Sequence, residues 1–493
     1  MNKYETVIGL EIHAQLKTES KMFCSCDNYS VDAKPNENTC QVCLGMPGTL
    51  PVPNKKAIEW TYLLGFALGG KIAEKFNFER KNYFYPDLPK AYQITSSTTP
   101  PVIGGVVEVE NEGTLRKVRI NHIHLEEDAG KLVHPRTGEY SLVDLNRAGT
   151  PLLEIVTEPD MRSSREASIF MQDLRSILKY LGISDANMEQ GNLRCDANIS
   201  IRKFGEEKLG TKVEIKNMNS FKMIERALEY EIERQTECLL ENKIIVQETR
   251  GWDDAKGKTL AQRSKEKAND YRYFPEPDIP PIEPYLGRAI DLDKIKTWLP
   301  ELPKVKRLRF EAEYNLSSQS AATLTSDLSL ARYFEQTLVE IPGITENDEI
   351  KKKKARKVAN WIIGELLAKL NNTSIGIDDC LIGQKNLAKL LEKTESGEIS
   401  GKIAKEILAE MFVTGKSTDE IIKEKGLSLI SDANKVEELI KSVITENDGP
   451  VQDYKKGKEK AFGFLIGQVM AKTKGQANPQ VVNKLLKELL SKE

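Results

Sequence analysis

The chain has 493 residues, more than one ordinary domain holds, and at about 100 to 200 residues per domain it reads as two to four folded units. Its 39% hydrophobic and 30% charged content is that of a soluble globular protein, which excludes membrane-embedded, collagenous and wholly disordered classes. With 72 Lys and Arg against 74 Asp and Glu, the net charge of −2 excludes a uniformly basic nucleic-acid coat and leaves room only for local basic patches.

The opening MNKYETVIGLEIHAQLK has neither the apolar core of a signal peptide nor the acid-poor composition of a transit peptide. The longest nearly apolar stretch, Trp60 to Gly70, falls well short of the roughly 20 residues that cross a bilayer, so the expected location is cytoplasmic, with no membrane partner. The same opening segment alternates: Ile8, Leu10, Ile12, Ala14 and Leu16 share one strand face, Glu11, His13 and Gln15 the other. Glu11 and His13 therefore stand about 7 Å apart on one wet face.

Cys24 and Cys26 are followed by Cys40 and Cys43 in a loop rich in Asn, Asp and Pro. Seven cysteines in a chain without an export signal argue against a disulfide framework, and four clustered thiolates can close a tetrahedral, structural zinc site. Gly65 to Lys71 has the spacing of a phosphate-binding loop, but Ile72 stands where that loop needs a hydroxyl. The preceding Ala57 to Leu64 reads as amphipathic helix, so this is expected to be a helix end. Tyr83-Phe84-Tyr85, with Arg80, Lys81, Lys90 and Tyr92 around it, mixes cations with stackable rings, as single-stranded RNA or an adenine would require; a packed aromatic corner is the plainer alternative.

His122 and His124 precede Glu126, Glu127 and Asp128, and Glu154 sits in the otherwise apolar run Leu152 to Val156, where an acid is costly unless paired or metal-bound. Arg165 to Leu181 and Phe221 to Leu240 carry helical periods. Between them Leu193 to Ile201 alternates, with Cys195 on the apolar face and Asp196 on the polar one, and Lys212, Glu214 and Lys216 line up similarly. Glu11, His13 and Asp196 can converge, and magnesium takes few protein carboxylates plus phosphate oxygens and water; solvated charges on a sheet face are the alternative. With four histidines and no Gly- and Ser-rich nucleophile segment, no hydrolytic triad is evident.

Five prolines between Pro275 and Pro284 close an α+β first domain, 1–290. Beyond them the pattern is helical. Val358, Trp361, Ile362, Leu366 and Leu370 form one core stripe and Val436, Leu439, Ile440 and Val443 another, giving a helical domain, 291–411, and a helical tail, 412–493. The last helix is expected to start with Asn478 as N-cap and Pro479 at its first position. Residues 454 to 493 hold nine Lys against three Glu, a charge that suits phosphate contact or a solvated helix face.

Several motifs together resemble a known family. VIGLEIHAQLKT (7–18), RKNYFYPDLPKAYQI (80–94), HLEEDAGK (124–131), SLVDLNRAGTPLLEIVTEPD (141–160), LRCDANISIR (193–202), KNMNSF (216–221), DYRYFPEPDIPP (270–281) and AFGFLIGQVMAKTKGQANPQVVN (461–483) are similar to segments of the B subunit of the bacterial and organellar aspartyl/glutamyl-tRNA amidotransferases. The length leaves no room for the extra domain of the archaeal relative.

The resemblance implies a cradle-shaped α+β domain built on antiparallel sheet, an all-α domain and a helical tail that touches tRNA. It implies ATP-dependent phosphorylation of the side-chain carboxylate of Glu-tRNA(Gln) or Asp-tRNA(Asn), then amidation by ammonia from an amidase-like A subunit, with a small C subunit completing a heterotrimer. The missing glutaminase nucleophile is then explained. Glu11, His13, Glu126 or Glu127, Glu154 and Asp196 match the family's magnesium positions, with Lys81 and Tyr83 beside ATP or the aminoacyl end. Zinc at Cys24, Cys26, Cys40 and Cys43 supports the fold, since some members lack the quartet. For tRNA the expected contacts are Lys455, Lys456, Lys458, Lys460, Lys472 and Lys474. A non-enzymatic zinc protein that presents tRNA would need no acidic cluster, and a metal-dependent phosphohydrolase no basic tail.

Overall fold

The computed structural model describes residues 3–492 apart from 30–31, 136–137, 265–269, 288, 346, 374, 427–432, 456–457 and 474–478. The chain divides into two compact units, Met1–Pro303 and Lys304–Glu493.

The first unit is organised by a sheet that has thirteen strands among the described residues. Its path runs Lys258–Ser264, Glu248–Asp253, Val213–Lys216, Leu193–Lys203, Tyr4–Gln15, Pro151–Thr157, Thr114–Glu127, Tyr92–Thr95, Glu79–Asn82 and Phe274–Pro275. Neighbours are antiparallel except Val213–Lys216 with Glu248–Asp253. A parallel pair requires a crossover, and the helix Phe221–Leu240 supplies it. The alternation read from sequence sets the faces: Ile8, Leu10, Ile12 and Ala14 are buried and share a core with Cys195, Ala197 and Ile199 of the neighbouring strand. Phe170, Met171 and Leu174 of the helix Ser164–Tyr180 and Ile224 and Leu228 of the crossover helix complete that core. Ser163 and Ser220 cap the two helices by accepting from Glu166 N and Met223 N, which ends the strand-to-helix links sharply.

The glycine-rich segment after Leu64 is a helix end. The helix Lys55–Ala67 stops at Gly69, whose φ of +70° favours glycine, and a β-carbon on Gly70 would fall 2.9 Å from Gly104 O. Past the prolines, Ile290 and Ile295 still join the sheet's core, so the first unit runs on to Pro303.

The second unit is helical. One core gathers Phe310, Phe334, Val358, Ile362, Leu366, Leu391 and Leu408, and a separate one gathers Ile440, Val443, Leu465, Val482 and Leu486. The stripe at Val358, Ile362, Leu366 and Leu370 is not one plain α-helix: a π turn, Ile362–Leu366, joins Asp348–Trp361 to Leu367–Thr373. A strict four-residue spacing drifts around an α-helix of 3.6 residues per turn, and one wider turn brings it back to the core. The helix Gly401–Thr414 runs across position 412, and Ile421 of the next helix belongs to the earlier of the two cores. The last helix is Pro479–Lys492, and the Asn478 cap lies outside the described residues. Among the described residues no helix is long and apolar enough to cross a membrane.

Candidate functional site

Four strands of the first unit lay a polar row across the sheet's wet face. In register, Arg194 stands opposite His13, His13 opposite Glu154, and Glu154 opposite His124. One step along, Asp196 stands opposite Glu11. Cross-strand partners on one face lie about 5 Å apart, close enough for polar side chains to meet.

They meet around Glu154. His13 Nε2 lies 3.2 Å and His124 Nε2 3.3 Å from the same Glu154 oxygen, Oε2. Glu126 closes the group, with Oε1 3.6 Å from His13 Nε2 and Oε2 3.7 Å from His124 Nε2. One ligand atom each from His13, Glu126 and Glu154 lie within 4.8 Å of one another, a geometry that can hold a metal ion. Glu126 Oε2 and His124 Nδ1 are buried without a hydrogen-bond partner. Burial alone would lower both histidines, but the carboxylates of Glu154 and Glu126 outweigh it; His13 is held above its usual range and His124 rises to about 9. Burial likewise opposes the charge on Glu154, yet the two imidazoles hold its carboxyl well below the usual range. Two carboxylates and a spare oxygen fit a hard cation such as magnesium; the imidazole nitrogen is a donor that softer divalent ions accept more readily.

The other expected ligands stand around this group. Glu11 accepts from Asn198 Nδ2 at 2.8 Å, and Asp196 is ion-paired with Lys216. Glu127, next in chain to Glu126, alternates to the opposite side, where it pairs with Lys90 and accepts from Ile94 N at 3.0 Å. Two residues absent from the sequence expectation belong to the site: His124 touches both carboxylates, and Arg194 reaches Asp128 at 2.9 Å from the same face. The pattern that marks His124 is its spacing of two from Glu126 on one strand; nothing local marks Arg194 beyond its place on the polar face of LRCDANISIR.

Lys81 lies toward the far edge of the sheet. Burial opposes its charge, but Glu126 holds the ammonium above its ordinary value. Its Nζ sits 5.9 Å from the Tyr83 ring and 5.1 Å from that of Tyr271, and Tyr83 OH donates to Gln93 Oε1 at 3.2 Å. Tyr83, Phe84, Tyr85, Tyr271 and Phe274 line a cleft of about 710 Å³ there, with Phe84 83% exposed. The aromatic segment is thus half packed corner and half open surface.

The cysteine quartet is assembled as spacing predicts, with all four Sγ atoms within 4.8 Å of one another. Cys40 N donates to Cys43 Sγ at 3.1 Å. Through the Cys24 hydrogen bond, and against the opposing effect of burial, the Cys43 thiol drops to about 5, while Cys24 is pushed up. Lys21, fully buried, holds its Nζ 3.9 Å from Cys43 Sγ and donates to Asn38 O at 2.7 Å. Four close sulfurs with a buried cation beside them suit a tetrathiolate zinc centre, whose net charge is negative. Cys195 is plain core.

In the tail, Lys455 and Lys460 are exposed, Lys458 pairs with Asp453 at 3.0 Å, and Lys472 with Glu446 at 2.5 Å. Lys456 and Lys474 lie outside the described residues.

Comparison with known proteins agrees with the architecture. Residues 6–285 match the GatB/GatE catalytic domain and residues 347–490 the GatB domain. Proteins named as the B subunit of aspartyl/glutamyl-tRNA(Asn/Gln) amidotransferase are similar along the whole length. That of Carboxydothermus hydrogenoformans is 48% identical over all of both chains. That of Thermoanaerobacter pseudethanolicus is 50% identical over 99% of this chain and all of its own, and that of Thermodesulfovibrio yellowstonii 49% over 99% of each.

Proposed function

The chain belongs to the family of aspartyl/glutamyl-tRNA(Asn/Gln) amidotransferase B subunits, and from that premise we propose that the cluster His13, Glu126 and Glu154 is where the side-chain carboxylate of a misacylated tRNA is activated. The function is that of the B subunit in a tRNA-dependent amidotransferase. The observation that carries the site is two carboxylates and two imidazoles gathered on one sheet face, with a buried carboxylate oxygen, Glu126 Oε2, that accepts no hydrogen bond.

The substrate carboxylate oxygen attacks the γ-phosphorus of ATP and ADP leaves; ammonia then attacks the acyl carbon, phosphate leaves, and the nitrogen loses a proton to give the amide. Phosphoryl transfer asks a protein for positioning and charge rather than covalent work. A magnesium ion at Glu126 and Glu154 would neutralise the phosphate oxygens. Glu11 and Asp196, one step along the face and held by Asn198 and Lys216, add negative charge beside the cluster and orient the substrate end. Lys81, close to Glu126 and backed by tyrosine rings, receives phosphate charge, and the open rings beside Tyr83 stack a base of ATP or of the tRNA's unpaired 3′ end. Glu127 is a structural residue in this reading. Zinc in the cysteine quartet is structural, the tail lysines hold the tRNA body, and an amidase-like A subunit, joined by a small C subunit, supplies ammonia in the cytoplasm. A non-catalytic zinc protein is the weaker reading, because presenting tRNA gives no reason to bury Glu126.

The deciding experiment is the reconstituted heterotrimer carrying Glu154→Gln, given ATP, free ammonia and misacylated tRNA. Glutamine hydrolysis is expected to continue in part, and amidation to stop even with ammonia supplied. Near-normal amidation would remove Glu154 from the chemistry.

A further inference from the structure

The cysteine loop and the acidic cluster are joined by a continuous set of close contacts. The knuckle that carries Cys40 and Cys43 ends in Gly45, where φ is +70°. A β-carbon there would fall 2.5 Å from Lys90 Cγ and 3.1 Å from Lys90 Cα, so the loop backbone lies directly against Lys90. Lys90 also stands 5.8 Å from the ring of Phe23, the residue before Cys24. Its ammonium pairs with Glu127, and both side chains are almost wholly buried. Glu127 in turn accepts from Ile94 N, while its own carbonyl accepts from Gln93 Nε2 at 2.7 Å. The carboxylate on one side of the strand is therefore clamped, and the next residue, Glu126, faces the cluster.

A second connection runs from the same loop to Glu154's strand. Lys21 Nζ lies near Cys43 Sγ and reaches Leu145 O at 3.4 Å. Met22 N donates to Gly149 O at 2.7 Å, and Gly149 N to Asp128 O at 2.9 Å; Asp128 lies two residues past Glu126, and Gly149 two before the strand Pro151–Thr157. Asn38 N donates to Asn146 Oδ1 at 2.8 Å. A rigid quartet thus braces both strand ends that carry the cluster's carboxylates.

We propose that Lys90 is a positioning residue that couples the two sites: a metal-filled quartet holds Gly45 against Lys90, the Lys90 and Glu127 pair holds the end of Thr114–Glu127, and divalent-cation affinity at Glu126 and Glu154 depends on both. The coupling rests on the reading of the cluster as a cation site. Loss of partners outside a metal's own ligands costs roughly 10- to 100-fold in affinity, and a fall of that size is expected here.

The test uses the full-length chain and Mn²⁺, followed by electron paramagnetic resonance, as the probe for the acidic site. Zinc-loaded protein, chelator-stripped protein and zinc-loaded Lys90→Met/Glu127→Gln are titrated side by side. The double variant removes both buried charges while its amide oxygen can still accept from Ile94 N, which spares the fold the cost of one unpaired charge. Weaker Mn²⁺ binding in the stripped protein and in the double variant, the latter keeping its zinc, with recovery in Lys90→Arg, supports the coupling. Equal Mn²⁺ affinity in all of them, together with loss of binding in Glu126→Gln, overturns the coupling and leaves the cation site standing. No Glu126-dependent Mn²⁺ binding in the zinc-loaded wild type overturns the cation site and the coupling with it.

Discussion

Glu126 and Glu127 are neighbours in the chain and opposites in the structure: both are buried, the first 3.6 Å from His13 on the sheet's polar face, the second against Lys90 on the other. Adjacent residues on a strand must diverge in this way, and two identical side chains acquire separate duties.

Their amide variants should separate cleanly. Glu127→Gln leaves Lys90 buried without its counter-charge, at a cost of about 3–5 kcal/mol, and calorimetry should show a melting temperature lower by on the order of 10 °C. Glu126→Gln should melt close to the wild type and lose aminoacyl-tRNA phosphorylation. The reverse pattern would exchange the two roles.

Divalent-cation affinity should rise with pH. His124, raised to about 9 by Glu126 and Glu154 despite burial, and His13, raised similarly, must release protons before a cation displaces them. Isothermal titration with Mn²⁺ should therefore show affinity climbing between about pH 6.5 and 9. The cation-free protein should behave oppositely. A raised histidine stabilises fully below its unfolded value and loses that contribution as pH rises through its folded one, while lowered Glu154 contributes above its unfolded value and loses it in acid. Its melting temperature should peak near pH 5–6 and fall toward 9. A flat cation profile would sink this account.

The quartet should bind about one zinc per chain. Because four thiolates are needed and Cys24 is pushed up while Cys43 drops to about 5, zinc uptake should release protons and weaken in acid, and Cys43→Ser should lose most of the zinc by elemental analysis. Full zinc content in Cys43→Ser would exclude that sulfur as a ligand.

Asp196→Asn tests the outer part of the face. It removes one of the two carboxylates that pair with Lys216, leaving Glu214 at 3.2 Å, and takes a negative charge from beside Glu11, so side-chain phosphorylation should fall severely without rescue by ammonia. Amidation near the wild-type rate would assign Asp196 to sheet structure alone.

The basic tail is best tested by a stop after Gly426. A cut at 412 would pass through the helix Gly401–Thr414, whereas Ile421 and Ile422 are the last members of the helical unit's first core among the described residues. Binding of tRNA should weaken and its salt dependence flatten, by close to one unit of slope for each lost phosphate contact. Unchanged affinity and slope would make Lys455, Lys458, Lys460 and Lys472 ordinary surface.

The sequence by itself determined what is local. Alternation assigned Ile8, Leu10 and Ile12 to the core and Glu11 and His13 to the wet face; helical spacing located Phe221–Leu240 to the residue; and two cysteine pairs announced a quartet, because thiolate chemistry needs only proximity in a loop. The tertiary structure alone decided the rest. Which of Glu126 and Glu127 joins His13 depends on which face of Thr114–Glu127 is covered, and that depends on Lys90 being buried from another strand connection. His124 and Arg194 entered the site through register between strands distant in the chain, His124 opposite Glu154 and Arg194 opposite His13. Register follows from the summed packing of whole faces, where a slip of one residue would reverse every side chain, and no local window of sequence contains that sum.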